Sequence, residues 1–409
     1  MASSTPRSSG EPEPPSGPLD GVLVLEMARG MAASFCSLIL ADLGARVIKI
    51  ETVEPLDGPP ARRESARQED DPRYLAFNRN KMSCRLSLRS MEGRRILGRL
   101  VSATDVVIGD LSIAEREALG IGRDDVANLS PQPVFVNVTP FGLNGPYADR
   151  PATDMLIQAL SGGMSMTGEP GRPPRAAGLP IAELCGGMWA AIAVLAALMA
   201  RDGALASGCD VDLSLLDGQL AMIPYFSAYY FLDGFVPGPQ GSGGHSPTYG
   251  AFRCSDDRYL VIAVIDQLSF VKLCDALDRQ SLKDDPRFRD ATSRSQHEQE
   301  LRGLIEATFV ARPLPEWEER LEQANLAYAR VNRLDEVFGD PQVRHRGMVT
   351  EILGASGELL RVVDSPIKVP GLRGRQQPPP RVGEHTDAVL RGLGVEASEI
   401  SRLRAAGVI

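Results

Sequence analysis

Residues able to do chemistry are sparse in this chain, and their spacing excludes most common catalytic devices. The six cysteines (Cys36, Cys84, Cys185, Cys209, Cys254 and Cys274) contain no C-x-x-C pair, and the four histidines (His245, His297, His345 and His385) are scattered. No zinc site can be assembled from nearby residues, no metal is expected, and reduced, buried thiols are the plain reading. The chain has no G-x-x-x-x-G-K-[ST] loop, no G-x-S-x-G elbow and no H-E-x-x-H pair, which disfavours a P-loop triphosphatase, a serine hydrolase and a zinc protease. Carboxylate chemistry remains. Glu183 and Arg201 fence an uncharged run from Leu184 to Ala200, and Asp154 precedes the apolar residues that begin at Met155. By residue type alone, Glu183 reads as an acidic cap of the apolar helix and Asp154 as the N-cap of a helix starting at Met155. The positive end of the apolar helix would keep Glu183 ionised.

The elements that must position these residues alternate. Gly21 to Glu26 is a short apolar run suited to a buried parallel strand, Ala32 to Leu43 has helical spacing, and Arg46 to Glu51 reads as a second strand. Met91 to Ser102 is amphipathic at helical period, and Asp105–Ile108 and Val134–Val138 are further strands. Strand and helix in alternation predict an α/β protein with a Rossmann-like, parallel-sheet large domain. The first strand-to-helix turn, Met27 to Ala33, has one glycine in place of G-x-G-x-x-G, so a dinucleotide cofactor is not expected. Further on, Asp210 to Leu216 reads as a strand running into a helix, Gly234 to Tyr249 as a loop rich in glycine and proline, and Tyr259 to Val264 as a strand. The predicted organisation is a disordered tail over 1–18, a large domain over 19–224, a smaller α/β domain over 225–330 and a C-terminal return to the large domain over 331–409.

Composition narrows the partners. With 44 Lys+Arg against 53 Asp+Glu the formal charge is −9, which argues against nucleic acid. The uncharged run up to Ala200 falls short of the ~20 residues of a membrane span and reads as a buried helix, so no membrane is expected. The N-terminal stretch is rich in Ser, Pro, Gly and Glu without the apolar core of a secretory signal, and a cytoplasmic location is the expectation.

Taken in order, a set of segments resembles the class III CoA-transferase family, which includes formyl-CoA and carnitine CoA-transferases and the related α-methylacyl-CoA racemases. They are Gly21–Glu26, Ala41–Glu51, Asn78–Lys81, Phe141–Tyr147, Ser161–Gly168, Gly208–Asp217, Asp340–Val343, Arg346–Met348 and Gly383–Asp387. The resemblance implies an interlocked homodimer whose Rossmann-like domains take CoA as a substrate, with no permanently bound cofactor, and whose active site lies between the large domain of one subunit and the small domain of the other. It implies transfer of CoA from an acyl-CoA thioester to a free carboxylic acid.

The family's nucleophile is an aspartate in a Pro-[Val/Ile]-Ala-Asp setting, and the matching stretch, Pro180-Ile-Ala-Glu183, puts Glu183 there. Its carboxylate would attack the thioester, pass through an anhydride and hold CoA as a glutamyl thioester. Where the racemases carry histidine this chain has Thr153, so no base for racemisation is present. Arg29, Ala32, Asn80 and Lys81 match positions expected to contact CoA. Two family arginines are replaced by Ser112 and Ala118, and Asp110 adds charge of the wrong sign for phosphate. Gly241, Gly243 and Gly244 would form a loop closing over the thioester; His245, a lone histidine, is not expected to act. Two alternatives follow from these departures: a catalytically weak CoA-transferase-like binding or scaffold protein, and a repurposed acyl-CoA thioester hydrolase.

Overall fold

The computed structural model describes residues 17–53, 71–126, 129, 132–201, 209–244, 246–354, 357–369 and 376–409. All but Gly17 and Pro18 of the expected tail lies outside these residues, as does His245. Gly17 is buried, and a Cβ there would lie 2.1 Å from the Leu43 carbonyl oxygen. The chain divides into two compact units, one of 1–161, 178–228 and 345–409, the other of 162–177 and 229–344. The small unit thus takes 162–177 from within the predicted large domain and runs to 344 rather than 330.

In the first unit, strands β1 (Leu23–Met27), β2 (Arg46–Thr52), β3 (Lys81–Leu86), β4 (Val106–Gly109), β5 (Val134–Thr139) and β6 (Cys209–Ser214) form one sheet. Every pair in it is parallel, in the order β3-β2-β1-β4-β5-β6. The helices are α1 (Met31–Asp42), α2 (Pro72–Phe77), α3 (Met91–Ala103), α4 (Ile113–Ala118), α5 (Arg123–Val126), α6 (Asp154–Leu160), α7 (Ile181–Met199) and α8 (Leu215–Leu220), with α9 (Pro224–Asp233) assigned to this unit only as far as Ala228. Parallel strands are covered on both faces, which is why they read as unbroken apolar runs. One face packs against Ala33, Cys36 and Leu40 of α1 and Ala190, Ala191 and Val194 of α7. The other packs against the Ile96, Leu97, Leu100 and Val101 stripe of α3 and against Leu390, Ile400 and Leu403 of the C-terminal helices. The Gly383–Asp387 block docks that return on β3: Gly383 N–H donates to Ser83 Oγ at 2.7 Å, and Thr386 Oγ1 accepts from Arg85 N–H at 2.9 Å.

Two features of this unit create the site. The strand order reverses between β1 and β4, whose last residues, Met27 and Gly109, are register partners. A crevice opens outside the carboxyl ends of strands at such a switch point. Second, α7 approaches α1 closely because Gly187 has no side chain: a Cβ there would lie 2.6 Å from the Ala32 carbonyl oxygen and 3.0 Å from the Phe35 ring. The expectation that α7 is a buried helix fails on one face, where Met188, Ile192 (55 % exposed) and Met199 (88 %) are open.

The second unit has an antiparallel sheet of β7 (Tyr249–Arg253), β8 (Tyr259–Ala263) and β9 (Tyr328–Arg330). Its core is built on Phe252, Phe270, Phe288, Phe309 and Trp317. A separate antiparallel pair, β10 (Val349–Leu353) and β11 (Leu359–Val363), belongs to the first unit.

Candidate active site

Glu183 does not precede α7; it lies in the helix's first turn. Its carboxylate turns away from its own helix, and Oε2 accepts the N–H of Ala32, in the first turn of α1, at 2.8 Å. The amides at the start of α7 are served by Asp154, whose Oδ1 accepts from Ala182 N–H at 2.8 Å and Glu183 N–H at 3.1 Å. Asp154 is therefore not the N-cap of α6, a position held by Thr153, which makes no side-chain cap bond. It is the first residue of α6 and caps its neighbour, which frees Glu183 from capping and holds the backbone beneath it.

A second carboxylate occupies the start of α1. Asp110, immediately after β4, accepts the Gly30 N–H at 2.6 Å and the Arg29 N–H at 2.9 Å on Oδ2. Asp110 and Glu183 face one position: a Cβ on Gly30 would lie 3.2 Å from Asp110 Oδ2 and 3.9 Å from Glu183 Oε2. Any side chain at residue 30 would fill the space between the two groups.

Burial pushes the Glu183 carboxyl above its ordinary value, and the nearby charges of Asp154 and Asp110 add to the effect. The Ala32 hydrogen bond opposes this without cancelling it. The expectation that a helix end keeps Glu183 ionised is corrected in sign, because desolvation and two neighbouring anions outweigh one amide.

The other predicted positions scatter. Arg29, half exposed, is clamped by Asp110 (3.3 Å) and Glu115 (2.8 Å). Glu115 is held in turn by a capping box with Ser112 at the start of α4. Ala32 contributes its amide to the site, while its methyl group is buried under α7. Asn80, at φ 64°, donates to Asp42 at 2.8 Å and accepts from Gln377 N–H at 2.8 Å. Lys81 is wholly enclosed: its ammonium reaches Glu26 at 2.8 Å, the Ser34 carbonyl at 2.9 Å and Asn78 Oδ1 at 3.3 Å. Lys49 bonds the same Glu26 at 2.5 Å, so two ammoniums share one carboxylate. They hold Glu26 far below the usual carboxylate range, and burial draws Lys81 down to about 8.

Gly241, Gly243 and Gly244 belong to the second unit. Gly241, at φ 63°, donates to the Gly168 carbonyl at 2.8 Å, and a side chain there would collide with the Glu169 carboxylate. Gly243 bridges to Gly250, and Arg302 donates to Ser242 Oγ at 3.0 Å. Those bonds tie the loop to its own unit.

From sequence, Asp110 was visible only as an unfavourable charge, and Gly30 was not singled out. The signal that finds both is the β1–β4 register, which no local pattern contains.

The family model for CoA-transferase family III matches residues 19–386. The succinate–glutarate CoA-transferase of Agrobacterium fabrum is 32 % identical over 391 residues, covering 92 % of this chain and 96 % of that one. The acetyl-CoA:oxalate CoA-transferase of Acetobacter aceti is 30 % identical over 363 residues, covering 88 % and 91 %. Among solved structures, a CAIB/BAIF family protein from Brucella suis matches with a TM-score of 0.82 at 29 % identity, over 92 % of this chain and all of that one. The parallel sheet, the carboxylate at its switch point and a family match over nearly the whole chain lead to one conclusion: the chain belongs to CoA-transferase family III and is an acyl-CoA:carboxylate CoA-transferase.

Proposed function

We propose that Glu183 is the covalent nucleophile of this transferase. The observation that carries the reading is the seat of its carboxylate, on the Ala32 amide beside unobstructed Gly30, where the carboxyl ends of β1 and β4 open. A Glu183 oxygen attacks the acyl-CoA carbonyl and the C–S bond breaks, leaving a mixed anhydride and CoA thiolate. The thiolate attacks the glutamyl carbonyl and releases the donor carboxylate, so CoA is held as a thioester on Glu183. An acceptor carboxylate attacks that thioester, the thiolate leaves again, and its attack on the acceptor's carbonyl yields the new acyl-CoA and frees Glu183. No proton is consumed. The α1 amides at this end of the helix oppose the negative charge that develops on each tetrahedral intermediate.

The named relatives work on succinate, glutarate and oxalate. We take small dicarboxylic acids as the first acceptor class. Arg29, which keeps an exposed face beside Gly30, is the cation we assign to the phosphates of CoA, and Asp110 and Glu115 must yield part of it.

The active species is a homodimer. The apolar face of α7 supports this, as do Met155, Leu156 and Leu160 on α6, Phe231 (80 % exposed) and Leu232 on α9, and Leu353 and Leu359 on the β10–β11 pair. Exposed apolar residues in such number mark surfaces that bind protein. The exposure of the α9 aromatics Tyr225, Tyr229, Tyr230 and Phe231 supports a covering partner.

A second reading, a CoA-transferase-like protein that binds without turnover, is favoured by the Glu in place of the family Asp and the missing arginines, and the Arg29 clamp adds to it. Isotopic exchange of CoA between an acyl-CoA and its free acid separates the two. Glu183→Gln is expected to abolish exchange. In the wild type, borohydride reduction after acyl-CoA addition is expected to place an alcohol on Glu183. Exchange at the wild-type rate in Glu183→Gln overturns the nucleophile assignment, and no exchange in the wild type with any donor favours the binding protein.

A further inference from the structure

A helix that carries a reacting carboxylate in its first turn faces a conflict. The amides there lack intrahelical partners, and the positive end of the helix attracts the nearest acid. In α7 that acid is Glu183 itself. Pro180, at the N-cap, has no N–H and makes no side-chain cap bond, so the helix does not cap itself. Its three orphan amides are nevertheless all served. Ile181 N–H donates to the Leu179 carbonyl at 2.8 Å, and those of Ala182 and Glu183 donate to Asp154 Oδ1. Asp154 is itself held from its other side: Oδ2 accepts from Gln158 Nε2 at 2.5 Å, one turn further along α6. Gln158 is buried, and its neighbour Ile157 is anchored in the core between the sheet and α7.

We propose that Asp154 and Gln158 are positioning residues of the transferase: by occupying the first-turn amides of α7 they keep the Glu183 carboxylate off its own helix and on the Ala32 amide. The acceptor is supplied from another helix, 28 and 29 residues back in the chain, at the one place where the nucleophile's own side chain would compete for it. With those amides taken, the Ala32 N–H at 2.8 Å is the bond left to Glu183 Oε2, and it directs the carboxylate toward Gly30 and the crevice. Gln158 fixes the rotation of the Asp154 carboxylate so that Oδ1, and not both oxygens in turn, meets α7. Neither residue touches substrate; both act through Glu183. The proposal rests on Glu183 as the nucleophile and adds what holds it in place.

Asp154→Ala is the test. With the acceptor gone, Glu183 is expected to turn back onto the amides of α7, and kcat for CoA exchange should fall about 100-fold while KM for the acyl-CoA changes less than about threefold. Asp154→Asn keeps a carbonyl oxygen for the two amides, and Gln158 can turn its own amide oxygen to the new NH2 group, so kcat should stay within about tenfold of the wild type. A crystal structure of the full-length Asp154→Ala chain is expected to show the Glu183 carboxylate off the Ala32 amide. A helix cap and nothing more would lower the urea midpoint in Asp154→Ala and leave kcat per folded molecule unchanged. Wild-type kcat in the folded variant, or Glu183 still seated on Ala32 in its crystal, overturns the proposal. Should Asp154→Ala not fold, Gln158→Leu is read in its place: a kcat loss of about tenfold supports the proposal, and wild-type kcat overturns it. Failure of the nucleophile reading shows itself separately, as wild-type exchange in Glu183→Gln with Asp154 intact.

Discussion

The proton affinity of Glu183 is set by burial and by the carboxylates of Asp154 and Asp110, and it is the residue-scale property most open to test. In the nucleophilic role proposed for Glu183 only the ionised form attacks, and that role predicts an acid limb of kcat/KM above the ordinary carboxylate value. In Asp110→Asn one repelling charge is gone, the Glu183 pKa falls, and the acid limb should move to lower pH; an unmoved limb would remove the coupling. The same shift acts on stability. The folded state holds the Glu183 proton at pH values where the unfolded chain has lost it, so this contribution is present below the unfolded pKa and lost as pH rises through the folded one. Glu183→Asp shortens the reach to Ala32 by ~1.5 Å, and exchange should fall roughly 100-fold, since small misplacements of reacting groups carry such costs. Lys81 gives the opposite pH signature. Its folded pKa, about 8, lies below that of the unfolded chain, so the unfolded state binds more protons between the two and stability should rise with pH above about 8. Urea midpoints at pH 7.5 and 9.5 check this, and the rise attributable to Lys81 should be missing in Lys81→Met.

At the scale of elements, the site depends on how closely two helices pass. Gly187 lets α7 sit against the Ala32 carbonyl, and this approach carries Glu183 to the adjacent Ala32 amide. Gly187→Ala places a methyl group where the Ala32 oxygen and Phe35 ring already stand, so the helices must part. We expect destabilisation of about 1–3 kcal/mol by denaturant titration, as for other overpacked cores, together with a loss of exchange larger than the stability change accounts for. Exchange at the wild-type rate would mean that the α1–α7 spacing does not position Glu183. The polar cluster of Glu26, Lys49 and Lys81 ties β1, β2 and β3 beneath the same end of α1, with Ser34 Oγ and Ser37 Oγ completing the bonds to Glu26 at 2.8 and 2.6 Å. Breaking such a buried pair from the acid side leaves two unpaired ammoniums, the more costly direction.

For the whole molecule the open question is what covers the apolar faces. A two-stranded antiparallel pair is marginal in water by itself, and β10–β11 carries exposed Leu353, Leu359 and Val363. A homodimer predicts a native mass about twice the 44.0 kDa of the chain that persists at nanomolar concentration. Introducing charge on the open face of α7 or on α9, as in Ile192→Glu or Phe231→Glu, should lower that mass or make the chain aggregate. A wild-type chain that sediments as a clean monomer at micromolar concentration overturns the dimer.

Periodicity in the sequence was enough for the α/β class, because the spacing of apolar residues is local and a strand buried on both faces has no polar positions to interrupt it. The ordered family blocks were enough for the transferase assignment, and the separate match at Pro180 to Glu183 was enough to name Glu183 as the candidate nucleophile. Local pattern could not supply partners. Glu183 and Ala32 stand 151 residues apart, and their meeting depends on a helix–helix distance set by Gly187. Asp154 reads equally well as a cap for its own helix or for another, and only the packing of α6 beside α7 decides which. Lys81 looks like any cation that follows a strand signal until β3 pairs with β2 and turns it inward onto Glu26. Which residues form elements follows from side-chain type and spacing, whereas which charges are buried, and against what, follows from the register of strands that are distant in the chain.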